Sequence, residues 1–241
     1  MLEFETLAAK NVHGLWLSPL TLKGFTHLPR PVDTQTLFPE TRLSALHPVF
    51  AEPALLTKTP SDWAGFALQD FDAFVIDHAA CERKASAVGM SFVVRYPDRP
   101  QLVGPMIQFA REELEHFHQV YRILQSRGLA LGKDEQDAYV GLLLQHVRTG
   151  RDERLLDRLL VNALIEARGC ERLALVADAL TDDKLQQFYS RLARAEGHHY
   201  TLFLELAQEI FAETDFSGRW SELRQIEANA IAAVAYRHAL H

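Results

Sequence analysis

The sequence predicts an all-α protein: an antiparallel four-helix bundle with additional helices and an irregular N-terminal arm. Three observations carry this expectation. Prolines crowd the first fifty-odd residues and thin out from Thr59 onward, which bars long helices early and permits them later. Beyond Thr59 one helical face carries Phe71, Phe74, Val75, His78, Glu82, Ala85 and Gly89, the spacing of an amphipathic helix. Four long stretches of this kind follow one another with compact connections, as consecutive bundle helices do.

Residues 1–54 form the expected arm. Pro19, Pro29, Pro31, Pro39, Pro48 and Pro53, with Gly14 and Gly24, break any long helix there, and short strands are expected around Leu15 to Leu22. The helical domain spans 55–241. Thr59-Pro60-Ser61-Asp62 offers an N-cap, a proline at the first helical position and an acid in the first turn. No proline then interrupts until Pro97. A second helix is expected from Arg99 or Val103 to Arg127, closed by Gly128. A shorter one runs near Asp134 to Val147, and a third long one from Asp152 to Leu180. Thr181, with Asp182 and Asp183, caps the fourth, which reaches about Phe211; an alanine-rich helix from Trp220 to Ala239 ends the chain.

Composition narrows the class. The 241 residues are 48% hydrophobic and 24% charged, as in an ordinary globular protein. The net charge of −7 argues against a surface built for indiscriminate nucleic-acid binding, while leaving room for a local basic patch. Cys81 and Cys170 are too few for a disulfide framework and suit a reducing compartment. There is no secretory leader pattern and no apolar run near the ~20 residues that cross a bilayer. A cytoplasmic protein without a membrane partner is expected.

The bundle repeats itself. Asp77-His-Ala-Ala-Cys81-Glu82-Arg83 on the first helix matches Glu166-Ala-Arg-Gly-Cys170-Glu171-Arg172 on the third. Ala110-Arg111-Glu-Glu113-Leu-Glu-His116-Phe117 on the second matches Ala193-Arg194-Ala-Glu196-Gly-His-His199-Tyr200 on the fourth. The Glu anchors are 31 residues apart in one half and 25 in the other, enough for a helix to end, turn and return.

Glu113 with His116, and Glu196 with His199, each share one helical face. Each half then offers two carboxylates and one imidazole to a common point, a donor set suited to iron or manganese rather than zinc. Two divalent ions balance four glutamates, which would be costly to bury unpaired. This is the ferritin-like pattern of one Glu from each of two helices and Glu-x-x-His from each of the others. The expected ligands are Glu82, Glu113, His116, Glu171, Glu196 and His199. One Glu-x-x-His is a weak signal, but here it occurs twice in matched context.

The repeat also excludes a rival register, since Glu115 and His118 correspond to His198 and Thr201. Asp77 and Glu166 rival Glu82 and Glu171; they stand as alternatives or as groups that orient a histidine. Cys81 and Cys170 read as small buried residues, and His78 as a core or ligand-orienting histidine. Arg148, Arg151, Arg154 and Arg158, interleaved with acids, read as a solvated face.

At these residues the sequence resembles the tRNA 2-methylthio-N6-isopentenyladenosine hydroxylase family. The resemblance runs from about Leu55 through Thr59-Pro60-x-x-Trp63, Asp77-His78-Ala79-x-Cys81-Glu82-x-Lys84-Ala85, Glu112-Glu113-x-Glu115-His116-Phe117, Glu166-Ala167-Arg168-x-Cys170-Glu171-Arg172 and Ala195-Glu196-x-x-His199. It implies a non-haem diiron monooxygenase with two iron ions. Such an enzyme would use O2 and an external electron donor, such as a ferredoxin and reductase, to hydroxylate the isopentenyl chain of a modified adenosine beside the tRNA anticodon. A diiron oxidase acting on a small, nucleic-acid-free substrate is the alternative, and an iron-storage or peroxide-detoxifying protein the third.

Overall fold

In a computed structural model of the chain, the structure describes residues 46, 48–51, 53–133 and 135–241. Most of the expected arm, its strands around Leu15 to Leu22, and the expected helix start at Asp134 lie outside the described residues. The helices are α1 (Trp63–Ala67), α2 (Phe71–Arg95), α3 (Pro100–Ser126), α4 (Ala138–Leu144), α5 (Arg151–Ala179), α6 (Asp183–Ile210) and α7 (Ser217–Ala233). Short 3-10 turns cover Pro48–Ala51 and Leu68–Asp70.

Local chemistry sets most of the boundaries. The Asp70 carboxylate accepts from Ala73 N and opens α2, while Pro100 occupies the first position of α3. Gly128, at φ 70°, ends α3 in the left-handed region, with Leu129 N donating to Leu124 O at 2.9 Å. Asp182, not Thr181, caps α6, accepting from Lys184 N and Leu185 N. Two further expectations change. Thr59 does not cap the first helix: α1 starts at Trp63, and Thr59 is committed to Glu171. The last helix also stops at Ala233, because the segment after it is held by tertiary contacts, with Leu240 N donating to Asp77 Oδ2 at 2.9 Å.

The pairs α2–α3 and α5–α6 pack along their lengths, each joined by a connection too short for anything but an antiparallel return. Contacts between α3 and α6 join the pairs into a ferritin-like bundle, and α4 and α7 pack together against α5. Gly89 permits the close approach of α2 and α3, since a Cβ there would meet Phe109 Cδ1 at 2.8 Å and Ala110 Cβ at 3.0 Å.

The core lies in two apolar clusters. One gathers Phe50, Phe92, Phe109, Phe203 and Trp220; the other gathers Trp63, Phe71, Phe74, Leu124, Leu173 and Tyr189. Between them, at the middle of the four long helices, sits a layer of buried charge: Glu82, Glu113, Glu166, Glu196 and His199. Among the described residues no helix is long and apolar enough to cross a membrane.

Candidate metal centre

Each long helix contributes to this layer. Glu82 is on α2, Glu113 and His116 on α3, Glu166 on α5, and Glu196 and His199 on α6. Ligand atoms of Glu113, His116, Glu196 and His199 all lie within 4.8 Å of one another. Glu113 reaches both imidazoles, with His199 Nδ1 2.6 Å from its Oε1 and His116 Nδ1 3.5 Å from its Oε2. Glu196 does the same, at 3.3 Å from His199 Nδ1 and 3.6 Å from His116 Nδ1. Glu82 Oε2 lies 3.7 Å from His116 Nδ1. Glu166 completes the layer as a carboxyl hydrogen-bonded to Glu196.

Groups at the rim orient these side chains. His78 Nε2 sits 2.5 Å from Glu82 Oε1, and Glu112 Oε2 lies 3.0 Å from His199 Nε2. Phe109 packs edge-on against the His199 ring at 4.9 Å. With Nε2 of His199 engaged by a carboxylate, its Nδ1 is left facing the cluster, the usual way a ligating imidazole is fixed.

The electrostatics are those of too many acids in too little water. Burial, reinforced by Glu196 and Glu82, pushes the Glu113 carboxyl up from 4.5 to about 8. Burial and Glu196 raise Glu166 well above the carboxylate range. Burial opposes charge on His116, yet the Glu113 and Glu82 carboxylates beside its ring lift it to about 11. Hydrogen bonding to His199 lowers Glu112 to about 2. Protons thus substitute for missing positive charge.

A metal answers this imbalance. Glu113 Oε1, His116 Nδ1 and Glu196 Oε1 are buried and have no hydrogen-bond partner among the described residues, although other donors and acceptors crowd them. Buried polar atoms crowded together without satisfied hydrogen bonds are what a cation would engage. The donor set of carboxylates plus one imidazole per half fits iron.

Five of the six residues expected from the repeat, Glu82, Glu113, His116, Glu196 and His199, are brought together here. Glu171 is not. Its carboxylate accepts from Thr59 Oγ1 at 2.6 Å, from Thr59 N at 3.1 Å and from Arg168 Nη1 at 2.5 Å. Arg168 in turn binds Glu227, which also accepts from Tyr139. Glu166 and Glu171 are five residues apart on one helix, so about 140° of rotation separates them and only one can face the bundle axis. On α2 the second acid, Glu82, turns inward; on α5 the first, Glu166, does. Asp77 points away, toward Leu240 N and the Cys81 thiol.

The family model of tRNA-(MS[2]IO[6]A)-hydroxylase (MiaE) matches residues 48–241. The chain belongs to this family. Two tRNA 2-(methylsulfanyl)-N(6)-isopentenyladenosine(37) hydroxylases are similar to it. That of Pseudomonas putida KT2440 is 38% identical over 159 residues, covering 66% of this chain and 77% of the relative. That of Salmonella typhimurium LT2 is 38% identical over 173 residues, covering 68% of this chain and 62% of the relative. A solved structure described as protein 43 with aldehyde deformylating oxygenase activity from Synechococcus superposes with a TM-score of 0.73. It is 34% identical over 78% of this chain and 94% of that one.

In this member of the hydroxylase family, the residue that faces the layer is Glu166, the alternative to Glu171 in the sequence, and a signal favouring it was available in the spacing. Glu82 and Glu113 are 31 residues apart, and Glu166 and Glu196 are 30 apart; Glu171 breaks that match at 25. The recurrence of Cys-Glu-Arg masked it. A further feature escaped sequence reading: a cavity of about 480 Å³ that runs from the surface to Glu166. Ala85, Val88, Val140, Leu144 and Ile165 make its apolar walls, and Lys84, Arg95, Arg154 and Arg158 also line it. Of the arginine stripe, Arg148 pairs with Asp157 and Arg151 with Asp98, whereas Arg154 and Arg158 serve this cavity.

Proposed function

We propose that this chain is an O2-dependent diiron hydroxylase acting on the isopentenyl side chain of 2-methylthio-N6-isopentenyladenosine in tRNA. The observation that carries the reading is the apolar cavity ending at the carboxylate layer. A branched hydrocarbon chain suits its walls, and an anionic backbone suits the lysine and arginines that line it. The modified base lies in a loop, where single-stranded nucleotides can be splayed out and inserted. The overall charge of −7 is compatible with this, because the positive charge is local.

Glu82, Glu113, His116, Glu166, Glu196 and His199 would hold the two ions, with Glu113 and Glu196 shared because each touches both imidazoles. The iron pair, supplied with electrons by an external donor, would provide O2 reduction and oxygen insertion into an unactivated C–H bond. The chain's own residues do the rest. Glu112 and His78 fix the imidazole and carboxylate orientations. The apolar clusters above and below keep water from the centre. Glu113 and Glu166 hold protons in the metal-free state and release them when ions bind.

The test is nucleoside analysis of tRNA from cells lacking the protein and re-expressing it. Hydroxylated isopentenyladenosine disappears in the first and returns in the second; an unchanged nucleoside profile would overturn the reading. A second reading, a diiron enzyme acting on a small substrate, draws on the name of the Synechococcus structure. Turnover of a free aldehyde, with tRNA untouched, would favour it.

A further inference from the structure

The wall of the same cavity holds a second cluster of metal-ligating groups, with no residue in common with the carboxylate layer. Cys81 comes from α2, Asp137 from the residue that caps α4, and His241 from the segment after α7. One ligand atom from each lies within 4.8 Å of the others. The His241 side chain is only 6% exposed, and its Nδ1 sits 3.2 Å from Asp137 Oδ2. Its Nε2 is buried with no hydrogen-bond partner among the described residues. The ring is held in place by stacking on Tyr139, with centroids 5.1 Å apart. Neighbouring groups brace the other two donors. Asp137 Oδ1 accepts from Val140 N, and Asp77 lies between the Cys81 thiol and Leu240 N.

We propose that Cys81, Asp137 and His241 bind a zinc-class divalent ion in the wall of this cavity. A thiolate, an imidazole and a carboxylate form a borderline-soft set, unlike the carboxylate-rich layer beside it, and zinc is the ion such a set selects. The orphaned imidazole nitrogen, buried where solvent cannot satisfy it, is the atom an ion would engage. Three protein donors would leave a fourth position for water, and all three residues line the cavity. The ion would tie together α2, the start of α4 and the last residues of the chain, so its occupancy fixes the wall along which a substrate enters. No ligand is shared with the diiron layer, and the proposal stands apart from the identity of the substrate.

The experiment uses the full chain already loaded with iron. Zinc is added, excess is removed by gel filtration, and both metals are counted by elemental analysis. The wild type is expected to retain one zinc per chain with its iron undiminished. Cobalt(II) in place of zinc is expected to give the near-ultraviolet charge-transfer band of a sulfur–cobalt bond. Cys81→Ser abolishes the band and the extra zinc. His241→Gln, which lies outside every helix and leaves α2 untouched, weakens zinc retention at least about tenfold. Iron content and circular dichroism show that each variant is folded. The proposal is overturned if the wild type gives no sulfur–cobalt band, if Cys81→Ser retains as much zinc, or if zinc enters only by displacing iron.

Discussion

At the scale of single residues, the contrast between Glu166 and Glu171 separates two kinds of buried acid. Glu166 has another carboxyl for company, whereas Glu171 has a guanidinium, a hydroxyl and a backbone N–H. Removing one partner of such a buried ion pair leaves the other uncompensated, at a cost of about 3–5 kcal/mol. Glu171→Ala should therefore lower the melting temperature sharply while the surviving folded fraction still takes up iron. Glu166→Ala should leave stability intact or improved and reduce iron content; elemental analysis beside thermal melts distinguishes the two. Glu113 adds a pH dependence. Its native pKa of about 8 lies above the ordinary 4.5. Its contribution to the metal-free protein is thus whole below about pH 4.5 and is lost as pH rises through 8. Iron binding must expel that proton, so affinity should climb with pH up to about 8. Calorimetry in buffers of different ionisation enthalpy should register proton release; pH-independent binding would contradict it.

At the scale of elements, the helices were legible because local rules made them. Proline and glycine positions, aspartate caps and helical periodicity placed α3, α5 and α6 within a few residues of their observed ends, whereas α2 begins at Phe71, well after the Thr59-Pro60 start that the sequence suggested. Failures fell where the decisive partner is remote. Thr59 looks like a cap but spends its hydroxyl on a carboxylate 112 residues away. The alanine-rich run past Ala233 looks helical, yet the residues that follow are held by Asp77 and by Arg172, whose Nη1 donates to Leu240 O. The candidate site was legible to the same extent. Glu-x-x-His needs only its own helix, while the choice between Glu166 and Glu171 depends on how α5 is rotated against α1, α6 and α7. Helix spacing carries its own prediction. Gly89→Val must force Phe109 and Ala110 apart from α2. It should cost about 1–3 kcal/mol, the usual penalty for overpacking, and should loosen iron binding by moving Glu82 relative to His116. Denaturant melts and iron titration measure the two effects.

At the scale of the whole molecule, an acidic protein presents a cationic cavity lining. Long-range attraction to a polyanion is weak under these conditions, so binding rests on a few local contacts. Arg154→Glu should weaken tRNA binding about tenfold and reduce the slope of log affinity against log salt by about 1. Filter binding across a salt series tests this, and an unchanged slope would remove Arg154 from the interface.

The two apolar clusters also bear on the life of the protein before it meets a metal. Each closes one end of the bundle without help from the charged waist between them, and protons on Glu113 and Glu166 soften the repulsion in that waist. The chain should accordingly fold first and take up metal afterwards. Withdrawal of a bound metal by a chelator should leave a vessel still closed at top and bottom, ready for refilling without a passage through the unfolded state.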